Sequence, residues 1–477
     1  MNRNQKRTPL FTALENHPKQ NATSFHVPGH KNGSIFPKQG KTYFQDILKI
    51  DLTEISGLDD LHHPEGAIKE AQELTADLYN ADYSYFLVGG STVGNLSMIL
   101  SVCQPGDKVL VQRNSHKSIM NALELAGAKP IFISPAFHKE TESYHLLNID
   151  QVKKTIPLHS DIKAIILTYP DYFGRTYPIK EIIEEAHTYQ IPVLVDEAHG
   201  PHFTLGSPFP MSSLSLGADI VVHSAHKMLP AMTMGSFLHI KGSYVDRYKV
   251  EHYLQMIQSS SPSYPIMASL DLARYFLANI TSDEVIEVID EVTKIREIFQ
   301  RSKEWHTYPE NVSTDPLKIT LEINSTKKLK ETVALFEEHY IFPELVTSNQ
   351  MLFIHGLDTY MDKHHLQKSI LSIEQRLSSK HFDDKIEVPF ITYPSINEMP
   401  FSYGEMKTKD VEWVTWEQAK GRIAMEAVTP YPPGIPFLMK GEIITENHID
   451  TINALIRNGQ HIHYKGHDIQ SGILVLK

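Results

Sequence analysis

A chain of 477 residues with 41% hydrophobic and 21% charged side chains has room for two or three domains around a large core. A formal charge of -12, from 45 Lys+Arg against 57 Asp+Glu, argues against non-specific nucleic-acid binding, and no run approaches the roughly 18 apolar residues of a membrane span. Cys103, the single cysteine, excludes a disulfide within the chain, and the basic start Met1-Asn-Arg-Asn-Gln-Lys-Arg7 lacks an apolar core for export, so a reducing cytoplasm is the expected setting.

Residues 1–55 read as an N-terminal arm. Thr8-Pro-Leu-Phe-Thr-Ala-Leu begins a helix, and His26-Val-Pro-Gly-His30-Lys-Asn-Gly33 is turn chemistry whose histidines and lysine suit a pocket wall. Residues 56–300 form the expected large domain. Apolar runs at 83–88, 108–112, 129–134, 163–169, 191–196 and 218–223 alternate with amphipathic segments, which predicts a mainly parallel sheet with helices on both faces.

Four of these runs end in reactive groups. After Tyr83–Val88 come Gly89-Gly90-Ser91-Thr92 and a helix start, a strand–turn–helix whose N–H groups and hydroxyls can seat a phosphate, although such a turn is also an ordinary helix cap. Lys108–Gln112 leads to Arg113-Asn-Ser-His116, an imidazole that can stack on a ring or move a proton, or else a plain loop histidine. Ile191-Pro-Val-Leu-Val-Asp196 is a β-branched run ending in a carboxylate at the strand edge where open α/β sheets bind ligands. The letters Asp196-Glu-Ala-His199 also spell a helicase box. That reading needs a phosphate loop, and the only Gly-Lys-Thr, Gly40-Lys41-Thr42, has Ile35 where the loop's first glycine belongs.

Val221-Val-His-Ser224-Ala-His226-Lys227 is the fourth. An amine at the enclosed end of a strand loses its proton readily and can form an imine with a cofactor aldehyde, whereas an arbitrary Ser-x-His-Lys more often just begins a surface segment. Thr168-Tyr-Pro-Asp171-Tyr-Phe-Gly174 is a further pocket edge, with Asp171 read as a turn cap.

The helix over 282–299 carries apolar residues at helical spacing behind Ser282 as N-cap. Segments 318–323, 327–340, 351–357 and 361–380 read strand, helix, strand, helix, a small α+β domain over 301–395. Residues 396–477 form a C-terminal subdomain with a loop at 397–404, a stiff Tyr431-Pro-Pro-Gly-Ile-Pro436 pocket rim, a helix at 446–459 and strands near 461–464 and 472–476. The 26 histidines include His364-His365 and His461-Ile-His463, which lack metal-site spacing, and no metal site is expected.

Taken together, phosphate turn, His, Asp and Lys resemble the fold-type-I pyridoxal phosphate enzymes. Phe25-His-Val-Pro-Gly-His-Lys31, Asp59-Asp-Leu-His-His-Pro-Glu-Gly66, Arg113–Ser118, Val195–His199, Ser224–Lys227, Ser261–Asp271 and Tyr431–Pro436 resemble, more closely, the bacterial ornithine/lysine/arginine decarboxylases. The resemblance implies a mainly parallel seven-stranded sheet, a smaller C-terminal α+β domain, and pyridoxal 5'-phosphate as cofactor. It implies that Lys227 carries the cofactor, Asp196 keeps its pyridine nitrogen protonated and His116 stacks on its ring. Gly90, Ser91, Thr92 and Ser224 would hold the phosphate, with Ala198, His199 and His226 as further cofactor contacts. Ser260, where the family has threonine, would reach the cofactor of a neighbouring subunit. His226 is the candidate acid that reprotonates Cα, with Lys227 as rival.

The implied reaction is decarboxylation of arginine, lysine or ornithine, in polyamine biosynthesis, by a cytoplasmic homodimer or tetramer with its site at the subunit interface and without the extra N-terminal domain of the acid-induced members. Candidates for binding the substrate's distal cation are Glu54, Asp59, Asp60, Glu65, Glu405 and Glu426. An aminotransferase or β-eliminating lyase is the enzymatic alternative, with Arg422 as its carboxylate anchor, and a catalytically retired amino-acid-binding protein is the other.

Overall fold

The computed structural model describes residues 3–20, 23–138, 143–308, 313–382, 394–430, 436–457, 462–463 and 469–477. At its centre is an eight-stranded sheet. From one edge the strands are Tyr83–Leu87, Ser236–Ile240, Ile220–His223, Val193–Asp196, Ile162–Thr168, Lys108–Gln112, Lys129–Ile133 and Ile396–Glu398.

The strands at the middle are apolar along their whole length because helices cover both faces. Val193–Asp196 and Ile220–His223 are buried at every position. The pleat divides their side chains between two cores: Val193, Val195 and Val221 pack on one face, and Leu194, Ile220 and Val222 on the other. Gly94 lets the helix Gly90–Val102 settle onto the sheet. A Cβ there would stand 2.8 Å from both Leu87 and Val222.

The expected parallel strands are all present, and two antiparallel ones join them. Ser236–Ile240, unforeseen from the sequence, inserts between Tyr83–Leu87 and Ile220–His223. Ile396–Glu398, read as part of a loop, pairs with Lys129–Ile133 and makes the eighth strand. The rest of that supposed loop holds a helical turn, Tyr403–Met406, closed by a Ser402–Glu405 capping box.

The helix Ser282–Gln300 starts at the residue expected to be its cap, and the cap lies one residue earlier. Thr281 is the N-cap, in a reciprocal box with Glu284, because threonine and glutamate three apart satisfy two orphan donors at once. Beyond it a four-stranded antiparallel sheet, His306–Thr307, Lys318–Glu322, Gln350–Ile354 and Leu345–Val346, packs against helices Thr326–Glu338 and Lys363–Ser378. The C-terminal segment has its own core around Trp416, Phe437 and Ile473, a Val411–Thr415/Gly472–Leu476 strand pair, and helix Glu446–Arg457. Tyr431–Ile435 of the supposed rim lie outside the described residues.

At the other end of the chain, helix Pro9–Asn16 is docked by a buried carboxylate. Asp271 accepts the Leu10 and Phe11 N–H groups and pairs with Arg274 at 2.6 Å. No described helix is long and apolar enough to cross a membrane.

Candidate active site

Four strands of the central sheet each deliver a group just past their C-terminal ends. Val193–Asp196 ends in the Asp196 carboxylate, 3% exposed. Its Oδ2 accepts from Asn95 Nδ2 at 2.9 Å and its Oδ1 from the Ala198 N–H at 3.2 Å. Both donors are neutral, and among the described residues no ion pair to Asp196 occurs. A buried carboxylate in that state calls for a cationic partner.

His116 follows Lys108–Gln112 and caps the helix Lys117–Ala126. Asn95 holds it in line with Asp196, since its amide spends one hydrogen on Asp196 and the other on Ser118 Oγ at 2.9 Å. The Ser118 hydroxyl in turn donates to His116 Nδ1 at 2.8 Å, which fixes the ring's N–H on Nε2. Loss of solvent and the Lys227 and Lys117 charges lower the His116 pKa, against the pull of Asp196.

Ile220–His223 runs into Ser224 and the one-turn helix Ala225–Met228, which presents Lys227. Lys227 Nζ lies 3.0 Å from His199 Nε2 and 5.4 Å from the Tyr172 ring centroid. Burial lowers its pKa, opposed by Asp196 and Glu344, so the amine loses its proton more easily than a surface lysine. His226 uses its ring differently. Its Nδ1 donates to the Gly235 carbonyl at 3.0 Å, leaving Nε2 as the basic atom.

The phosphate turn meets the lysine strand directly, for the Ser224 and Ser91 hydroxyls are 2.8 Å apart. Helix Gly90–Val102 has no side-chain cap, so its first-turn N–H groups and partial positive charge remain for an anion. The Gly90 N–H is not among them, since it is given to the Met234 carbonyl at 2.9 Å. Thr92 stands in the same first turn.

These residues fit pyridoxal phosphate on their own chemistry. An uncapped helix end with two hydroxyls suits its phosphate, a buried and uncompensated carboxylate suits a protonated ring nitrogen, and a depressed lysine suits its aldehyde.

Other expected residues lie elsewhere. Ser260 occupies an exposed bend next to Ser259, whose carbonyl is bonded to His62 at 2.8 Å. The His26–Gly33 loop has Asp51, His17 and its own backbone as described partners rather than the Lys227 cluster. Asp171 is a turn cap, accepting the Phe173 and Arg175 N–H groups.

The acidic candidates are likewise occupied. Asp59 accepts the N–H groups of Gly66, Ile68 and Lys69 at the start of helix Ala67–Tyr79, and Asp60 accepts that of His62. Glu54 bonds Thr53, Glu65 sits with His63, Glu405 closes its capping box, and Glu426 accepts from the Leu474 N–H through Oε1, its other oxygen being buried without a hydrogen-bond partner among the described residues. Arg422, the expected anchor of the transaminase alternative, is tied to Glu412 at 2.6 Å and to the Leu476 carbonyl at the far end of the C-terminal subdomain. That alternative loses its anchor.

The sequence reading missed Asn95, Ser118, Tyr172, Lys318 and Glu344. Asn95 and Ser118 are visible only once a helix and a strand end are brought together. Tyr172 donates to Glu344 Oε1 at 2.6 Å, and Lys318 Nζ lies 3.1 Å from His199 Nδ1.

The Orn/Lys/Arg decarboxylase major-domain model matches residues 8–309, and its C-terminal-domain model matches 392–464. The chain is 43% identical to the uncharacterized protein YaaO of Bacillus subtilis over 95% of each chain. It is 37% identical to an arginine decarboxylase of Bacillus anthracis, covering 95% of this chain and 94% of that one. Its fold resembles that of the Escherichia coli constitutive lysine decarboxylase, with a TM-score of 0.80 and 20% identity over 99% of this chain and 82% of that one.

Proposed function

Since the chain belongs to the Orn/Lys/Arg decarboxylase family and is a pyridoxal phosphate-dependent amino acid decarboxylase, we propose that its substrate is arginine, converted to agmatine and carbon dioxide for polyamine synthesis in the cytoplasm. Relatives called arginine decarboxylase are 35–37% identical over more than nine-tenths of this chain, whereas those called lysine decarboxylase are 22–25% identical, and this difference carries the choice of arginine.

When bound, the cofactor supplies an electron sink for the pair left behind as a bond at the substrate Cα breaks. The chain's residues decide which bond breaks and where the protons go. Lys227 would hold the cofactor aldehyde, and its lowered pKa suits an amine that must be unprotonated to do so. Asp196, kept in line by Asn95, would pair with the cofactor's ring nitrogen and keep it protonated. His116 would stack on the cofactor ring, and Ser91, Thr92 and Ser224 would hold its phosphate together with the first turn of the helix. Ala198 and His199, beside Asp196 and Lys227, would be further cofactor contacts.

His226 Nε2 delivers the proton to Cα, with the Lys227 amine as rival donor. Arg422, the anchor a transaminase would use, is held by Glu412 and the Leu476 carbonyl instead of standing ready for an α-carboxylate. Glu344, within electrostatic reach of Lys227, receives the substrate's distal cation. A second copy completes the site through Ser260, giving a homodimer or tetramer.

The test is direct. Purified protein is expected to show a band near the edge of the visible range that borohydride or Lys227→Ala removes, and to release carbon dioxide from arginine faster than from lysine or ornithine. Keto-acid formation without gas overturns the reaction, and a preference for lysine or ornithine overturns the substrate.

A further inference from the structure

The segment between Ile220–His223 and Ser236–Ile240 carries Lys227 out of the central sheet and back, and both of its ends grip the phosphate turn. At its start the Ser224 hydroxyl donates to that of Ser91 at 2.8 Å, and near its end the Met234 carbonyl accepts the Gly90 N–H at 2.9 Å. Two adjacent residues of the anion seat are thus fastened to the two limbs of the lysine loop. The ties fix the span between seat and amine.

Met234 holds its tie in a backbone conformation that methionine seldom adopts. Its φ is +76°, and the Gly235 N–H returns to the Met232 carbonyl at 2.9 Å, so Met234 occupies the third place of a tight turn, where a positive φ ordinarily calls for glycine or asparagine. Its side chain is 47% exposed, so packing of that side chain does not account for the conformation. Gly90 across the hydrogen bond is left-handed too, at φ +77°, with nothing within 4 Å of where a Cβ would stand. It is glycine for its backbone and not for room.

The neighbours of the turn impose its shape. The Met232 N–H is held by Ser269 Oγ at 3.0 Å, and the Gly235 carbonyl accepts both the His226 N–H at 3.1 Å and the His226 ring N–H at 3.0 Å. Gly235 leaves no slack, since a Cβ there would stand 3.0 Å from the Met232 carbonyl and 3.1 Å from Leu270 Cδ2. A strained residue that its surroundings over-determine marks a place where the backbone itself does the work. Here the work is the direction of one carbonyl. A flip of the Met234–Gly235 peptide would release the Gly90 N–H and, with it, the start of helix Gly90–Val102.

We propose that Met234 is a positioning residue whose left-handed backbone aims its carbonyl at Gly90 and so sets the distance from the first-turn N–H groups that take the cofactor's phosphate to the amine that takes its aldehyde. The Met234 side chain has no part in this. The inference rests on the phosphate seat and on Lys227 as assigned under the proposed function.

The test compares pyridoxal 5'-phosphate with pyridoxal, which has the same ring and aldehyde but no phosphate, as ligands of the full-length protein stripped of cofactor. Affinities are read from the absorbance of the bound chromophore, without substrate or turnover. Met234→Val stays apolar, but its branched Cβ strongly disfavours a positive φ. Its preference for the phosphate form over pyridoxal is expected to fall about tenfold, with pyridoxal affinity unchanged. Met234→Gly and Met234→Asn discard the side chain and keep the conformation, and both are expected to match the parent. Should Met234→Val fail to fold, Met234→Thr carries the same restriction in a smaller side chain. A valine variant with the parent's preference, one that loses both ligands equally, or glycine and asparagine variants that fall along with it, overturns the proposal. A parent that holds the two ligands equally refutes the phosphate seat itself, and the proposal with it.

Discussion

At the scale of single residues, the site depends on an asparagine with no chemistry of its own. Asn95 is fully buried and divides its two amide hydrogens between Asp196 and Ser118, and through Ser118 it orients His116. Asn95→Ala leaves a buried carboxylate short of a donor. We expect a stability loss of about 1–3 kcal/mol, read as a lower denaturant midpoint with unchanged slope, together with weaker cofactor retention. Glu344 behaves differently because it is exposed and its bond to Tyr172 leaves the fold unburdened. Glu344→Gln is expected to raise KM for a basic substrate roughly tenfold with a smaller change in kcat, the pattern of a lost ground-state contact. An equal fall in kcat would place its effect in the transition state instead.

At the scale of elements, the central strands are joined by more than their ladder. Glu197, just past Val193–Asp196, bonds His223 Nε2 at 3.2 Å; His223 Nδ1 bonds His239 Nε2 at 3.1 Å, and His239 Nδ1 bonds Ser84 at 2.7 Å. Burial pushes the Glu197 carboxyl up to about 8 and the His223 imidazole down to about 3. The wire is therefore neutral at pH 7: acid to imidazole, imidazole to imidazole, imidazole to hydroxyl. A carboxyl raised in the fold contributes stability that is complete below its unfolded pKa of roughly 4.3 and lost as pH rises through the folded value. The lowered imidazoles of His223 and His239 act in the opposite sense below their unfolded pKa of roughly 6.5, so a net decline is expected between about pH 6.5 and 8, and Glu197→Gln is expected to flatten that part of the curve. Thermal midpoints across the range check it, and parallel curves would mean that Glu197 is ionised in the fold.

At the scale of the molecule, the C-terminal subdomain is fastened to the large sheet close to the site. Arg113, three residues before His116, forms a two-pronged pair with Glu442, whose oxygens also take the Asn397 amide at 2.6 Å and the Met439 N–H at 2.7 Å. Both partners are almost fully buried. Burial alone would raise the Glu442 pKa, but the Arg113 hydrogen bonds and charge hold it below the ordinary carboxylate value. Its contribution is present above the unfolded pKa and fades as pH falls through the lower folded one. Arg113→Ala leaves an unpaired buried charge and is expected to cost about 3–5 kcal/mol, with the loss already easing as pH falls toward about 4.3, because without Arg113 burial raises the Glu442 pKa above its unfolded value. Denaturation across pH distinguishes this from a loss that is uniform with acidity.

The parts of this protein that its sequence determined are those written in short stretches of chain. The apolar runs around Val193–Asp196 and Ile220–His223 carry their own reason to be central strands, since only burial on both faces suits such unbroken runs. Asp196, His116 and Lys227 were legible as candidates because each stands at the end of such a run or shortly past it. Ser236–Ile240 and Ile396–Glu398 were not legible, since an antiparallel strand filling a gap or an edge is defined by its partners rather than by its own letters. The same holds for Asn95, Ser118, Glu344 and the Lys227–His199–Lys318 bridge, whose members lie far apart along the chain and become neighbours only when two sheets and a helix are packed. Periodicity records what a residue's own element needs. Which proton an amine keeps depends on charges that only the tertiary fold brings within a few ångströms.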